Sequence, residues 1–148
     1  MGIDETDQHS KQVDAWIKQS AGGLSSERLL LLFGEAINAV QNRASKTLSE
    51  VTVSAVFDRV LITSQKRYPL LSRVKIESKV VFLDALAAEC NDLARDEIID
   101  PFRSFLIELL TILGNLTADI LTKPLYRELL KVTAKTSHRG LRSIKSGS

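Results

Sequence analysis

The sequence of 148 residues contains a single cysteine, Cys90, so no disulfide can form within one chain. Cysteine use of this kind is typical of a reducing compartment, and we expect a cytoplasmic protein in which Cys90 is a small core residue. The chain also lacks a convincing membrane span. Its most apolar stretch, residues 101–121, carries three charged side chains, so we expect no transmembrane segment.

Residues that could perform catalysis or bind a metal are scarce. The two histidines, His9 and His138, lie in polar terminal segments, where we expect both to be exposed to solvent. Cys90 has no histidine near it in the sequence that could activate it, and no G-x-S-x-G nucleophile motif occurs. The sequence therefore predicts a protein that is not an enzyme and that uses no cofactor or metal.

The stretch of residues 101–121 is apolar on two faces when it is read as a helix. The first face is formed by Phe102, Phe105, Leu106, Leu109, Leu113, Leu116 and Ile120. The second face is formed by Ile107, Leu110, Gly114, Ala118 and Leu121. A helix of this kind must be covered on most sides, by its own domain or by a partner. We expect Asp100 to cap this central helix and Pro101 to occupy its first position.

Apolar periodicity and capping residues predict further helices around this one. Ser25 or Ser26 can cap a helix that runs to about residue 44, because a hydroxyl oxygen accepts a hydrogen bond from the first turn. Thr47 and Glu50 have the spacing of a capping box for the next helix. That helix should end before Pro69, because the residue that precedes a proline avoids the helical conformation.

The fold class predicted from these patterns is an all-α, single-domain bundle of five to six helices. Residues 72–83 alternate in polarity and fit either a small β-hairpin or a continuous helix, and another helix follows to about residue 96. We assign residues 1–136 to one helical domain and residues 137–148 to a flexible basic tail.

A narrow polar line separates the two apolar faces of the central helix. It consists of Ser104, Glu108, Thr111 and Asn115. A buried carboxylate needs a partner or a raised pKa. Glu108 could therefore pair with an arginine such as Arg59, line a ligand pocket, or face water, and we regard it as the candidate residue for a ligand pocket.

Charge is distributed unevenly along the chain. From residue 122 to the end there are seven basic residues and one acidic residue, a balance of +6, which leaves −4 for the first 121 residues. Four of these cations recur at every fourth position: Lys123, Arg127, Lys131 and Lys135. Such a row suits the phosphates of a nucleic acid or an anionic surface, although no known nucleic-acid-binding motif accompanies it.

Three functions fit this sequence. The first is a non-enzymatic helical regulatory or protein-interaction module in a signalling pathway, which forms a dimer or binds a partner through the second face of the central helix. The alternatives are binding of nucleic acid or an anionic surface through the basic row, and sensing of a small ligand in a pocket beside Glu108. The small residues Gly114 and Ala118 favour the first, because they would let another helix approach closely.

Overall fold

The computed structural model describes residues 5–77, 80–82 and 92–133. These residues form five α-helices: α1 (Glu5–Ser20), α2 (Ser26–Ala44), α3 (Glu50–Arg67), α4 (Arg95–Leu116) and α5 (Thr122–Lys131). A short 3₁₀-helix (Pro69–Arg73) and two strands, β1 (Lys75–Glu77) and β2 (Val80–Phe82), lie between α3 and α4. The predicted all-α helical bundle is confirmed. Within the part of the chain that the structure describes, no helix is both long enough and apolar enough to cross a membrane.

Two of the helices begin at serine caps. The Ser25 hydroxyl accepts a hydrogen bond from the backbone N–H of Arg28, as predicted for the start of α2. The cap of α3 is Ser49, whose hydroxyl accepts from the N–H of Thr52, so the capping box predicted at Thr47 is wrong by two residues. Helix α3 ends at the predicted place, one residue before the Tyr68-Pro69 pair.

The segment that follows the 3₁₀-helix contains a small antiparallel pair of strands. Residue 75 lies opposite residue 82, and residue 77 lies opposite residue 80. Strand β2 contacts α2. A helix is predicted to follow. Residues 83–91, which form most of it and include Cys90, lie outside the described residues. Its predicted last residue, Asp96, belongs to α4 instead.

The central helix α4 begins six residues earlier than predicted. Its N-cap is Ala94, whose backbone N–H donates to the Glu97 carboxylate at 2.8 Å. Asp100 is therefore not the cap, and Pro101 lies inside the helix, where it has no N–H to donate. The added turn is retained because Ile98 is completely buried in the core, so tertiary packing offsets the hydrogen bond that the proline removes.

Helix α4 also ends earlier than predicted, at Leu116. The chain then reverses through Ala118 and Asp119, which have φ angles of 51° and 66° in the left-handed region. Leu116 at the end of the helix and Ile120 in the turn have 53% and 71% of their surface exposed, so neither contributes to a buried first apolar face as predicted. The other five members of that face are buried, as predicted.

Aromatic side chains from four helices form the centre of the core. The ring of Trp16 meets Phe33 edge to face, and Phe33 stacks on Phe102 with their ring centroids 5.2 Å apart. Phe57 contacts Phe105 in the same core. Helix α4 packs against α1, α2 and α3, and α5 packs against α2, α4 and α1. The central helix is therefore enclosed by elements of its own chain.

Candidate functional site

The second apolar face of α4, predicted to bind a partner, is largely covered within the chain. Ile107, Leu110, Gly114 and Leu121 are buried, and Leu121 lies beyond the end of the helix. Ala118 alone of the five is exposed, and it belongs to the left-handed turn rather than to a helix. The four buried residues belong to the core of the chain's own fold, so a partner helix could reach them only if that fold opened. Whether the chain associates with itself stays a prediction.

The chain's own loop packs against the backbone at Gly114 and leaves little room for a side chain there. A Cβ atom at this position would lie 3.0 Å from Asp119 Oδ1 and 3.1 Å from Thr122 Oγ1. The same atom would lie 3.9 Å from His9 Nε2. The close approach predicted for a partner helix is thus made by the turn between α4 and α5 and by α1.

His9 is buried, which contradicts the prediction of a solvated histidine. Its Nδ1 atom lies 2.6 Å from the hydroxyl of Tyr126, and the two rings meet edge to face. Burial raises the pKa of Tyr126 above its usual value, and the nearby Asp119 carboxylate raises it further. The helical spacing of His9 with the core residues Val13 and Trp16 is the signal in the sequence that places this histidine inward.

A polar cleft opens where α1, the C-terminal end of α3 and the middle of α4 meet. It has a volume of about 390 Å³, and Glu108 lies in its wall. We call it the Glu108 cleft. Its other lining residues are Ser10, Arg67, Tyr68, Arg103, Ser104, Ile107 and Thr111.

The side of the Glu108 cleft that α4 contributes is the polar line of the central helix. Ser104, Glu108 and Thr111 all line it, while Asn115, one turn further on, is exposed beyond it. The Thr111 hydroxyl donates to the Ile107 carbonyl at 2.8 Å, so its oxygen is left to accept from a ligand. The periodicity of α4 placed these residues on one face, but it did not reveal the cleft residues of α1 and α3.

The charges of the Glu108 cleft fall into two groups. Arg103 is compensated, because its Nε and Nη2 atoms donate to the two carboxylate oxygens of Asp14 at 2.5 and 3.1 Å. This hydrogen bonding raises the pKa of Arg103. Glu108 and Arg67 have no hydrogen-bond or ion-pair partner among residues 5–77, 80–82 and 92–133. Arg59, named in the sequence analysis as one arginine with which Glu108 could pair, is exposed and does not line the cleft.

The basic row is exposed along α5. Lys123, Arg127 and Lys131 all face solvent, and Lys131 pairs with Glu128 on the same helix at 3.2 Å. Lys135 lies outside the described residues. The row therefore presents two cations that have no ion pair within the described part of the chain, and a third that is partly neutralised.

A second and smaller cleft, of about 240 Å³, lies between α2 and α5. It is lined by Glu35, Asn38, Ala39, Asn42, Arg43, Lys46, Glu128 and Val132. Burial raises the pKa of Glu35 above its ordinary value of 4.5. This cleft has about three-fifths of the volume of the Glu108 cleft, and its two carboxylates are accompanied by two cations.

Comparisons of the chain with protein-family models, with curated proteins and with solved structures find no match. The function must therefore be inferred from the chemistry of the clefts and helix surfaces themselves.

Proposed function

We propose that this chain is a non-enzymatic, ligand-sensing helical domain that binds a small polar molecule in the Glu108 cleft. The observation that carries the proposal is a pair of opposite charges, Glu108 and Arg67, in the wall of one cleft, neither of which is paired with a described residue. Glu108 is half-buried, and a carboxylate partly withdrawn from water normally acquires a partner, while Arg67 extends from the exposed end of α3 beside it. A bound ligand would supply both partners.

The size of the Glu108 cleft supports this proposal. Its volume of about 390 Å³ lies within the range of roughly 300–1,000 Å³ that is usual for small-molecule sites. Three helices form the walls, so a ligand that touches all of them favours the conformation in which they pack together. Such a difference in affinity between conformations is what turns occupancy of a site into regulation.

The experiment that tests this proposal is thermal unfolding of the full chain with a panel of amino acids, carboxylates, primary amines and sugars. A ligand that binds only the folded state adds about 2.7 kcal/mol to the free energy of unfolding when its concentration is 100 times its Kd. The melting temperature rises as a result. Ser104→Leu fills the cleft, and Ser54→Leu makes the same change on the exposed surface of α3. Ser10→Leu is a second cleft-filling variant, on α1, in case Ser104→Leu does not fold.

We expect at least one compound to raise the melting temperature of the wild type and of Ser54→Leu but not that of the cleft-filling variants. The proposal is overturned if no compound in the panel stabilises the wild type. It is also overturned if the stabilisation persists when the cleft is filled.

The exposed basic row on α5 supports a second function, the binding of nucleic acid through its phosphates. Lys123 and Arg127 extend into solvent from one surface of the helix. If they contact phosphates, the affinity for random-sequence duplex DNA should fall steeply with salt, and Arg127→Gln should reduce the salt dependence by about one unit in log–log slope. Binding with a salt dependence that Arg127→Gln leaves unchanged, or no binding at low salt, would exclude the row as a DNA-binding surface.

A further inference from the structure

We infer that the ligand of the Glu108 cleft is a zwitterion of amino-acid size, whose ammonium group binds Glu108 and whose carboxylate binds Arg67. This inference rests on the proposed function, because it names the class of molecule that the same cleft would take.

The charge balance of the cleft favours a ligand that carries both signs of charge. Arg103 and Asp14 neutralise each other through two hydrogen bonds. What remains is one negative group, Glu108, and one positive group, Arg67. A simple anion would leave the half-buried Glu108 without a partner, which costs free energy because a carboxylate withdrawn from water has lost its hydration. A simple cation would leave the exposed Arg67 paired with water only. A zwitterion pairs both.

The surroundings of the two charges fit the two ends of such a molecule. Helix α3 ends at Arg67, whose positive charge offsets the partial negative charge of that helix end. The ring of Tyr68 also lines the cleft, and an aromatic face attracts cations. The guanidinium of Arg67 has the planar fork of N–H donors that matches a carboxylate.

The size and the lining of the cleft favour an organic zwitterion over separate small ions. Its volume of about 390 Å³ is more than ten times the roughly 30 Å³ that one water molecule occupies in the liquid. Ile107 offers apolar surface beside the hydroxyls of Ser10 and Ser104. An amino acid with a side chain of modest size supplies both charges and a mixed body to meet this lining.

The test compares matched probes that differ by one charged group. Isothermal titration of the full chain would be made with each common amino acid, with the primary amine that lacks its carboxylate, and with the acid that lacks its amine. Leucine, 3-methylbutylamine and 4-methylpentanoate are one such set. We expect the zwitterion of at least one set to bind at least about tenfold more tightly than either partner compound, because each loses a charge-assisted hydrogen bond.

Two variants identify which residue binds which end. Glu108→Gln should weaken binding of the zwitterion and of the amine but not of the acid. Arg67→Gln should weaken binding of the zwitterion and of the acid but not of the amine. The matched controls are Glu27→Gln on α2 and Arg59→Gln on α3, both exposed and outside the cleft, and neither should change any affinity.

The outcomes separate this inference from the proposed function. If in every set the amine or the acid binds as tightly as the zwitterion, and this binding is lost in Ser104→Leu, the cleft is a ligand site and the zwitterion inference is wrong. The inference is equally wrong if a zwitterion binds but neither Glu108→Gln nor Arg67→Gln weakens it. If no probe shows binding that is sensitive to Ser104→Leu, the proposed function fails as well.

Discussion

Ala118 has a backbone conformation that its side chain disfavours. Its φ angle of 51° lies in the left-handed region, where a residue with a Cβ atom pays about 1–2 kcal/mol. It is followed by Asp119 at 66°, whose carboxylate accepts from the Thr122 hydroxyl at 3.0 Å and so helps to hold the turn. Two such residues in succession end α4 and direct the chain into α5.

We predict that Ala118→Gly stabilises the protein. Glycine adopts this conformation without strain. We expect the strain relieved in the folded state to exceed the entropic cost of ordering a more flexible chain, for a net stabilisation of about 0.5 kcal/mol. Urea unfolding followed by circular dichroism measures the effect. Ala55→Gly, the same change at an exposed position within α3, should instead destabilise by about 1 kcal/mol. Loss of stability in both variants would show that the turn is unstrained.

Glu35 predicts a pH dependence of stability. Burial raises its pKa above 4.5 in the folded protein, so the folded state retains the proton to a higher pH than the unfolded state does. As pH rises from about 4.5 through the folded pKa, stability is therefore lost. We expect Glu35→Gln to raise the melting temperature more at about pH 7 than at about pH 4. An equal change at both pH values would contradict this, and Glu27→Gln is the exposed control.

At the scale of the element, α4 illustrates why the ends of a helix are harder to predict than its faces. Asp100 and the proline that follows it resemble the cap and the first position of a helix, and the apolar spacing before them predicts that the preceding helix ends near Asp96. Ile98 and the Glu97 side chain, which accepts from the N–H of Ala94, reveal the true start six residues earlier. The faces of α4 depend only on periodicity, and most of their apolar members are buried.

We predict that Gly114→Ala destabilises the protein by about 1 kcal/mol, although alanine is the better helix former. The added methyl group would lie too close to Asp119 Oδ1 and Thr122 Oγ1. The Thr122 hydroxyl donates a hydrogen bond to this Asp119 oxygen, so neither atom can move away without weakening that bond. Gly22→Ala has nothing within 4 Å of its new Cβ atom and serves as the control. A stability equal to or above that of the wild type would show that the turn moves aside at no cost.

At the scale of the whole molecule, Trp16 joins the two ends of the described chain. Its indole N–H donates to the carbonyl of Val132 at 2.7 Å, a contact between residues 116 positions apart, and both residues are buried. The same ring packs against Phe33, which stacks on Phe102 of the central helix. One side chain thus fixes α1, α2 and the segment after α5 to a common core.

We predict that Trp16→Phe costs about 2–4 kcal/mol of unfolding free energy, because it leaves a cavity and a buried carbonyl without its donor. Circular dichroism in urea is the measurement, since the variant lacks the only tryptophan. Phe57→Leu is the control, because it also replaces a buried aromatic side chain by a smaller one but removes no hydrogen bond. A cost for Trp16→Phe below that of Phe57→Leu would mean that the contact with Val132 contributes little.

The sequence by itself determined the local features of this protein. The helical period placed most of the apolar residues of α4 inward and aligned Ser104, Glu108 and Thr111 on one line, because neighbours three and four positions apart share a face. The capping residues predict where α2 and α3 begin to within two residues, and Pro69 predicts where α3 ends. The exposed spacing of Lys123, Arg127 and Lys131 follows from the same period.

Only the tertiary structure decided what covers each face and what lies beside Glu108. The second apolar face is covered by the chain's own helices, and the Glu108 cleft requires Ser10 and Arg67, which come from distant parts of the sequence. Periodicity is a property of one helix, so it carries no information on which other helix will dock against it. Docking depends on how all the apolar faces can be buried at once, and that condition belongs to the whole chain.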